Sequence, residues 1–421
     1  MNGGLSMVEM KSGYKMTEVG VIPEDWEVKT LGKLACINGR IGFRGYTVKD
    51  LVRKGEGAIA IGGKHISKNF LDLSDAEYIS WKKYYESPEI MVKQGDIVLA
   101  QRGTLGKSAL IKSDIGPATI NPSLVLINKI KCNNLYLIYN IQSSSVTDYI
   151  LQINSQTSIP MISQKQIEGI KIAIAKLDSE QTAIATALSD VDSLISALTK
   201  KIEKKKAIKQ GLMQQLLTGK KRLPGFGGVW DVVQLKRIIS EFIVPMRDKP
   251  TALTGPIPWC RIEDFDGKYL KKSLSNQGVD LNTVSKMNLK IFPVNTLLVS
   301  CSANLGRCAI VKQKLVTNQT FIGLVPSDRI DVEFLYYKMS REDKNLNNMA
   351  TGTTISYLSR EQFENYEILI PSSKAEQTAI ANILSDCDSE VAALEEKRDK
   401  YKEIKQGMMQ QLLTGKIRLI K

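Results

Sequence analysis

The chain has 421 residues, of which 43% are hydrophobic, and a formal net charge of +14 with a pI near 9.3. This length fits roughly two to three domains. A basic excess of this size favours a polyanionic partner, most often nucleic acid, over a membrane surface or a merely basic soluble protein. There is no apolar run of about 18 residues and no apolar N-terminal segment, so the sequence predicts neither a membrane span nor a secretory signal.

The histidine and cysteine content disfavours several kinds of site. His65 is the one histidine, which excludes H-E-x-x-H zinc sites and leaves histidine acid–base chemistry to that residue alone. The cysteines form no C-x-x-C pair and are too few for a disulfide framework. We therefore expect reduced thiols in a cytoplasmic protein, at Cys36, Cys132, Cys260, Cys301, Cys308 and Cys387.

The first part of the chain is predicted to be a globular domain. Residues 1–22 form an N-terminal segment that could contact the C-terminal helix, and residues 23–177 form what we call the first domain. This domain mixes short β-like runs such as "DIVLA" and "SLVLINKI" with helix-like stretches. The mixture indicates an α/β or α+β fold.

A long helix is predicted next, within residues 178–222. Apolar residues recur there at steps of four and three, which is typical of a coiled-coil seam. Asp178-x-x-Gln181 resembles a capping box, and Thr218-Gly219 supplies a stop signal. Forty helical residues would span about 60 Å. The seam consists of Ile184, Leu188, Val191, Ile195, Leu198 and Ile202.

The second half of the chain repeats this layout. Residues 223–371 form what we call the second domain, and residues 372–421 a second long helix with its tail. Between residues 180–220 and 376–416, 28 of 41 aligned positions are identical. Its start signals are Ser373-x-x-Glu376 and an upstream Pro371, and its seam consists of Ile380, Leu384, Cys387, Val391 and Leu394.

The domains are related more weakly than the helices. "WEVKTL" matches "WDVVQL", "GDIVLAQRGTLGKSALI" resembles "NTLLVSCSANLGRCAIV", and "TSIPMISQKQI" aligns with "TTISYLSREQF". The tail "LLTGKIRLIK" also resembles "LLTGKKRLPGF", which leads into the second domain. The sequence thus predicts two copies of one domain. Because the tail resembles the linker that leads into the second domain, we expect it to return to the first domain, and we call this arrangement a circular frame.

A single helix with such a seam cannot bury it alone, so the two helices are expected to form an antiparallel intramolecular coiled coil with a pseudo-twofold circular arrangement. In that pairing the lysine-rich stretch 200–206 would lie opposite Glu395 and Glu396. Solvated charged faces are the alternative for any single pair.

Gly211 and Gly407 interrupt both helices at the same place, at a cost of about 1 kcal/mol each relative to alanine. A close backbone approach or a kink would explain them. An early helix end followed by a short second helix is the alternative.

Two similar domains with unlike surfaces, carried on nearly constant helices, suit a two-part target. One turn of DNA is about 34 Å, so a rod of about 60 Å could hold two readers roughly one turn apart. An old duplication whose halves drifted would also explain the repeat, but not the concentration of the drift in the domains.

In its layout and motifs the chain resembles the specificity subunits of type I restriction–modification enzymes. The resemblance covers nearly the whole chain. It rests on "IPEDWEVKTLG" and "FGGVWDVVQL" at the domain starts, on "TSIPMIS" and "TTISYLS" at their ends, and above all on the two "EQTAIA…LLTGK" helices.

The resemblance implies a non-catalytic DNA-recognition subunit. Each domain would read one half of an asymmetric bipartite site in double-stranded DNA, and the helices would set the spacer and dock two methyltransferase subunits. Two motor–nuclease subunits can join such a complex. No cofactor is expected on this chain, since S-adenosylmethionine would bind the methyltransferase subunits.

Motifs of a free-standing enzyme are not matched. The nearest sequence to an adenine methyltransferase motif is "NPSL" (121–124), "GEGAIA" (55–60) has the wrong context for a dinucleotide site, and "RGTLGKS" (102–108) lacks P-loop spacing. "EDFDGK" (263–268) could suggest a metal nuclease, but we favour a turn with Asp266-Gly267 at its tip.

DNA contacts are expected from polar and basic loop residues of the two domains, since phosphate contacts position a protein and base contacts specify the sequence. Asn121 and Asn318 are candidates to pair with adenine. Any one of these residues could instead be structural, His65 in particular. The candidates are Arg40, Arg44, Lys64, His65, Arg102, Lys107, Asn121 and Ser158 in the first domain, and Arg261, Ser302, Asn304, Arg307, Asn318, Gln319, Thr353 and Thr354 in the second.

The repeated phrase "QQLLTGK" is a candidate partner surface. Gln214, Gln215, Gln410 and Gln411 are expected to contact a methyltransferase subunit, or else to stabilise the intramolecular pair. Three wider alternatives stay open: a free-standing enzyme, a scaffold whose twin domains bind proteins, and an orphan specificity subunit that serves methylation only.

Overall fold

The structure is a computed structural model that describes residues 12–67, 69–154, 160–245, 249–302, 304–350 and 357–420. It divides into two compact units. The first unit comprises Met1–Leu198 and Lys397–Lys421, and the second comprises Thr199–Glu396. Each unit therefore contains one domain and a stretch of both long helices. Among the described residues, no helix has both the length and the apolar character needed to cross a membrane.

The first unit mixes short strands with short helices. Its strands are Tyr14–Thr17, Gly20–Pro23, Glu27–Thr30, Cys36–Gly39, Leu51–Val52, Gly57–Ile61, Ile66–Ser67, Phe70–Leu71, Glu77–Ser80, Ile97–Ala100, Ser108–Leu110, Ala118–Ile120, Leu124–Asn128 and Lys171–Ile174. Its short α-helices are Leu31–Leu34, Trp81–Tyr85, Asn134–Ile141, Ser144–Asn154 and Gln164–Glu168, with 3-10 turns at Gly42–Arg44, Val48–Asp50, Gly63–His65 and Pro88–Ile90.

The core of the first domain lies on both faces of one antiparallel sheet. Strand Ile97–Ala100 pairs with Ser108–Leu110 on one side and Leu124–Asn128 on the other. Ile97 and Leu99 enter one hydrophobic cluster, while Val98 and Ala100 enter a second. Alternate side chains of a strand point to opposite faces, so a sheet covered on both sides gives a continuous apolar run such as "IVLA".

The second unit repeats this plan. Its strands are Trp230–Gln234, Ile239–Ile243, Ile257–Cys260, Tyr269–Leu270, Gly278–Val279, Leu297–Ser300, Cys308–Val311, Val316–Thr317, Phe321–Pro326 and Glu367–Pro371. Its short α-helices are Leu281–Lys286, Val332–Met339, Asp343–Met349 and Arg360–Asn365, with 3-10 turns at Leu235–Arg237 and Ile262–Asp264. Leu297 and Leu298 again enter different clusters, so this sheet is also covered on both faces. The strands and short helices of the two units confirm the predicted mixed fold.

The two long helices are the central helix, Asp178–Leu216, and the C-terminal helix, Lys374–Leu412. Both end as the sequence predicts. Gly219 and Gly415 have positive φ values of 69° and 68°, the left-handed conformation that glycine adopts without strain.

The helices pack antiparallel within each unit. In the second unit, Lys206 lies 2.7 Å from Glu395, as the charge pattern predicts, while Leu216 shares a cluster with Ile380 and Leu384. In the first unit, Leu412 shares a cluster with Ile184. In both units residues near the end of one helix therefore meet residues near the start of the other.

Part of the seam serves the domains rather than the helix pair. Ile184 and Leu188 are fully buried in the core of the first domain, and Ile380 and Leu384 in that of the second. Leu198, Ile202 and Val391 are also buried. The first turns of each long helix thus pack into a domain, and the rest of the helix continues into the coiled coil.

A buried carboxylate fixes the start of each long helix. Glu180 accepts hydrogen bonds from the Trp26 indole at 3.1 Å and from the Arg418 guanidinium at 2.6 Å. Glu376 accepts equivalent bonds from Trp230 and Arg222. The tail of the C-terminal helix therefore makes the contacts with the first domain that the linker after the central helix makes with the second.

The N-terminal segment meets the same tail. The hairpin formed by Tyr14–Thr17 and Gly20–Pro23 places the Tyr14 hydroxyl 2.9 Å from the Gly415 carbonyl, to which it donates. Residues 12–22 thus complete the first unit against the C-terminal helix, as expected from the circular frame.

Neither a close intramolecular approach nor an early helix end explains the two helix glycines. Both helices run without interruption through Gly211 and Gly407, so the early end is wrong. A Cβ atom added at either position would meet nothing within 4 Å, so a close approach among the described residues is also wrong.

Candidate nucleic-acid interface

One cleft of the first domain brings together four of the predicted DNA-binding residues. Lys64, His65, Arg102 and Asn121 line it, and its volume is about 370 Å³. These residues come from three separate parts of the chain. The sequence indicated each of them by its type, and the structure shows that they share one site.

Parallel strand pairing creates this cleft. Strand Gly57–Ile61 pairs in parallel with Ala118–Ile120, so the carboxyl ends of both strands reach the same edge. The Asn121 backbone amide donates to the Ile61 carbonyl at 2.8 Å, so the two chains stay paired up to the end of both strands. Loops at the carboxyl ends of parallel strands are a common place for binding sites.

Asn121 is held in a defined orientation. Its side-chain oxygen accepts from the Ser123 amide at 2.9 Å and from the Ser123 hydroxyl at 2.5 Å. The Ser123 hydroxyl also accepts from the Gly63 amide at 3.3 Å. A Cβ on Gly62 would lie 2.6 Å from the Asn121 side-chain nitrogen, so the glycine leaves room for that amide.

The second domain holds Asn318 in the same way. Strand Ile257–Cys260 pairs in parallel with Val316–Thr317, and Asn318 follows directly. Its side-chain oxygen accepts from the Thr320 hydroxyl at 2.7 Å. Both asparagines thus sit at the end of a buried strand with the side-chain oxygen bound by a hydroxyl two residues later.

The two glycine-containing loops lie beside these asparagines. The Arg102 amide approaches the Ser123 carbonyl at 3.3 Å, and the Cys301 amide donates to the Thr320 carbonyl at 2.9 Å. Arg102 also bridges to Met161 and Ser302 to Tyr357, which places the closing segments of the domains next to the loops. Gly106 and Gly306 have positive φ values in both loops.

Most of the predicted DNA-binding residues in and beside these loops are exposed. Arg102, Lys107, Asn304 and Gln319 are exposed, and Ser302 is partly buried. Arg307 is exposed as well, although its guanidinium donates to the Phe265 carbonyl at 3.1 Å. Ser158, Thr353 and Thr354 lie outside the described residues.

Two candidates are positioned for a structural role. Arg40 is 6% exposed and donates to the Ile120 carbonyl at 3.0 Å and to the Thr119 hydroxyl at 2.9 Å. His65 is 1% exposed, and its Nδ1 accepts from the Gly62 amide at 2.9 Å. Both side chains stabilise this edge of the domain from inside, and His65 lines the cleft while remaining almost fully buried.

Arg44 and Arg261 are each near a carboxylate. The Arg44 guanidinium lies 3.5 Å from Glu89, and that of Arg261 lies 3.9 Å from Glu263. Arg261 also begins the turn in which Asp264 accepts from its backbone amide at 2.7 Å. Asp264 accepts from the Leu274 amide too, so this carboxylate of the "EDFDGK" stretch stabilises a turn.

The sequence did not single out three further cleft residues. Glu77, Thr104 and Ser123 are the other polar residues of the lining, which also includes Ala60 and three glycines. The Lys64 ammonium donates to Glu77 at 2.9 Å, and this hydrogen bond raises the pKa of Lys64. Ser123 follows Asn121 at the spacing of an Asx turn, which is a signal in the sequence. Glu77 reaches the cleft only through strand pairing.

The repeated glutamines lie on an exposed surface. Gln214, Gln215, Gln410 and Gln411 are all exposed. In the first unit, Gln410 lines a groove of about 1020 Å³ together with Met409 of the same helix. The groove also borders residues 142–149 and 169–173 of the first domain and the N-terminal hairpin.

Comparison with known proteins matches this arrangement to one family. The profile of the type I restriction modification DNA specificity domain matches twice, over residues 23–210 and 230–406. The chain is 25% identical to the type I restriction enzyme MjaVIII specificity subunit of Methanocaldococcus jannaschii, with 94% of each chain covered.

Solved structures share the fold. The crystal structure of a type I restriction-modification S subunit from M. genitalium has a TM-score of 0.59 at 15% identity and covers 92% of this chain and 96% of its own. A chain from a structure on the assembly and conformational transition of the type I R-M system has a TM-score of 0.57 at 17% identity, covering 94% and 99%. The chain therefore belongs to the type I restriction modification DNA specificity family and carries two copies of its domain.

Proposed function

We propose that this chain is the sequence-reading subunit of a type I restriction–modification complex and that each domain reads one half of an asymmetric bipartite DNA site. The observation that carries the proposal is the pair of asparagine turns. The same hydroxyl-bound asparagine follows a parallel strand in both domains, although the residues around it differ. A carboxamide can pair with the major-groove edge of adenine, so equivalent readers in unlike surroundings suit two unlike half-sites.

The net charge supports a DNA partner. A charge of +14 gives the chain a long-range attraction to a polyanion. Arg102 and Lys107, which are exposed beside the cleft, are suited to phosphate contacts that position the first domain.

We propose that the helices dock two methyltransferase subunits through the repeated surface. Exposed Gln214 and Gln410 belong to a phrase that the two helices keep almost unchanged, and Gly211 and Gly407 leave open space beside it. A glycine in a helix costs about 1 kcal/mol, and close approach of a partner backbone would explain that cost. Two copies of the surface correspond to two methyltransferase subunits.

Catalysis is assigned to the partners in this proposal. The methyltransferase subunits would bind S-adenosylmethionine and modify adenine, and two motor–nuclease subunits would complete a restriction complex in the cytoplasm. The chain itself would hold no cofactor and would set the target and the spacer.

A methylation map tests the proposal. The chain is expressed with its cognate methyltransferase subunit in a host that lacks adenine methylation, and N6-methyladenine is mapped by sequencing with and without the chain. We expect a bipartite motif that appears only with the chain. An intact co-purified complex that yields no motif, and that does not bind duplex DNA at low salt, would contradict the proposal and favour a protein-binding scaffold.

A further inference from the structure

Glu77 occupies a reading position in the first domain. Strand Glu77–Ser80 pairs antiparallel with Gly57–Ile61, so that Glu77 lies opposite Ala60. That register places the carboxylate at the cleft that Asn121 and Arg102 line. Glu77 is 46% exposed, and its described ion pair is with Lys64.

Gln277 occupies the equivalent position in the second domain. Strand Ile257–Cys260 pairs antiparallel with Gly278–Val279, with Ile257 opposite Val279. Trp259 is the counterpart of Ala60, because each pairs with the residue two positions before the asparagine of its domain. The Trp259 amide donates to the Gln277 carbonyl at 2.9 Å, so Gln277 lies opposite Trp259 as Glu77 lies opposite Ala60. The two domains therefore carry different polar side chains at one structural position.

The side-chain oxygen of Gln277 is an unused acceptor. It is buried and has no hydrogen-bond partner among the described residues. A buried polar atom left without a partner is costly, so such atoms call for an explanation. Because Gln277 as a whole is partly exposed, a rotation of its side chain would bring this oxygen to the surface, where a donor on a ligand would supply the missing partner.

The chemistry of the cleft favours base edges over phosphates. Arg102 and the Asn121 amide can donate, but the carboxylate of Glu77 can only accept and repels a phosphate. Base edges in the major groove present acceptors together with the exocyclic amino groups of cytosine and adenine, which donate. A cleft that contains both donors and an acceptor matches that pattern.

We infer that Glu77 and Gln277 are specificity-determining residues, which accept a hydrogen bond from an exocyclic amino group of a base in their respective half-sites. This inference rests on the proposed function. Glu77 selects an amino-bearing base, and Gln277 can both accept from and donate to an adenine edge. One position thereby contributes to the difference between the two half-sites.

The existing ion pair does not prevent this role. The Lys64–Glu77 pair is about half exposed on both sides, and pairs of this kind contribute little to stability. On DNA, Lys64 can turn to a phosphate while Glu77 turns to a base.

The test uses Glu77→Gln in the complex with the methyltransferase subunit. The matched control is Glu27→Gln, since Glu27 is 48% exposed and also pairs with a lysine, at 2.8 Å from Lys29, but lies outside the cleft. Both variants and the unaltered protein methylate a DNA library in which each half-site is randomised separately. Methylated members are then sequenced.

We expect Glu77→Gln to change base preference at one position of one half-site by roughly 5- to 150-fold, with the other half-site unchanged. Glu27→Gln should leave both half-sites unchanged. A preference that stays the same in Glu77→Gln, a loss that affects both half-sites equally, or a uniform loss of methylation over all library members would overturn the inference. If the unaltered protein selects no bipartite motif, the proposed function itself fails, and this outcome is distinguishable from the others.

Gln277→Leu provides a second, independent arm, because leucine has a similar size and no acceptor. We expect altered preference only in the half-site that Glu77→Gln leaves unchanged. Thermal melting of the variant confirms that it is folded. A folded Gln277→Leu complex with unchanged preference in both half-sites would overturn the assignment of Gln277.

Discussion

At the residue scale, hydrogen bonds fix the polar side chains at the strand ends where we propose that each domain reads DNA. The hydroxyl of Ser123 binds both the Asn121 side chain and the Gly63 amide. Holding a carboxamide in one orientation lowers the entropy lost when it binds a base. Because each domain holds one such asparagine, we expect each asparagine to act on the half-site of its own domain.

We expect Asn121→Ala to weaken discrimination at one half-site by about 1–3 kcal/mol, because the hydrogen bond that its side-chain N–H donates to a base is lost and the acceptor on the base is left unpaired. Asn318→Ala is the matched variant and should affect the other half-site. Competition binding of the complex with DNA mutated in one half-site at a time measures both effects. Equal losses at both half-sites from either variant would contradict the assignment.

A buried carboxylate should matter more for stability than an exposed one. Glu180 is fully buried and binds Arg418, which is 21% exposed. We expect Glu180→Gln to lower the free energy of unfolding by about 1.5–3 kcal/mol, because its charge-assisted hydrogen bonds with Arg418 are lost while Arg418 keeps its partner Asp25. Urea denaturation measures the change.

The control for this prediction is Glu27→Gln, which removes an exposed pair with Lys29. Its effect on the free energy of unfolding should be much smaller, because both partners of this pair are about half exposed to solvent. Equal effects of the two substitutions would show that burial of Glu180 is not what stabilises the helix start.

At the element scale, the same three-residue contact joins each domain to both long helices. Tyr139 donates to Asp192 at 2.8 Å, and Lys405 of the other helix lies 2.7 Å from the same carboxylate. In the second unit, Tyr337 donates to Asp388 at 2.6 Å, and Lys209 pairs with Asp388. Each contact ties a short domain helix to the central and C-terminal helices within its unit.

These tyrosines should make stability fall at alkaline pH. Burial raises the pKa of Tyr139 above its ordinary value of 10, and the negative charge of Asp192 raises it further. The unfolded chain loses the phenol proton near pH 10 while the folded chain keeps it, so the contribution is complete below pH 10 and declines above it. We expect Tyr139→Phe to be less stable than the unaltered protein at pH 8 and to show a smaller loss between pH 10 and 11.5. Urea denaturation across this range measures the difference, and parallel curves would contradict it.

Substitution of a helix glycine should change stability and partner binding in opposite directions. Gly211→Ala should raise the free energy of unfolding by about 0.5–1 kcal/mol, because alanine loses less backbone entropy and the site has open space. The same change should weaken association with the methyltransferase subunit, measured by titration calorimetry, if a partner backbone packs there as proposed. Ser196→Ala, on an exposed position of the same helix, should stabilise without affecting association. Unchanged association in Gly211→Ala would remove the docking explanation.

At the scale of the whole molecule, the excess of positive charge should control DNA affinity. If the complex neutralises about 6–10 phosphates, affinity should fall roughly 10³- to 10⁵-fold between 50 and 200 mM salt. Fluorescence anisotropy with a duplex that contains the methylated motif gives the slope of log affinity against log salt. A slope near zero would contradict a DNA role for the chain.

Local patterns in the sequence determined the architecture of the chain. Seam residues such as Leu188 and Leu384 and the stop glycines Gly219 and Gly415 predicted both long helices. The match of 28 of 41 positions between two stretches predicted the duplication. Periodicity and capping act within a few residues, so they are legible in a single sequence. Residue type likewise pointed to Lys64, Arg102 and Asn121 individually, among other candidates.

Tertiary structure alone decided which of those residues share a site and which face inward. Arg40 is buried against Thr119 and Ile120, about eighty positions later in the chain. Glu77 joins the cleft because it pairs with Ala60, seventeen positions earlier. Strand register depends on non-local pairing, and a shift of one residue would move every side chain to the other face. Burial and cross-strand neighbours therefore became visible only once the chain was folded.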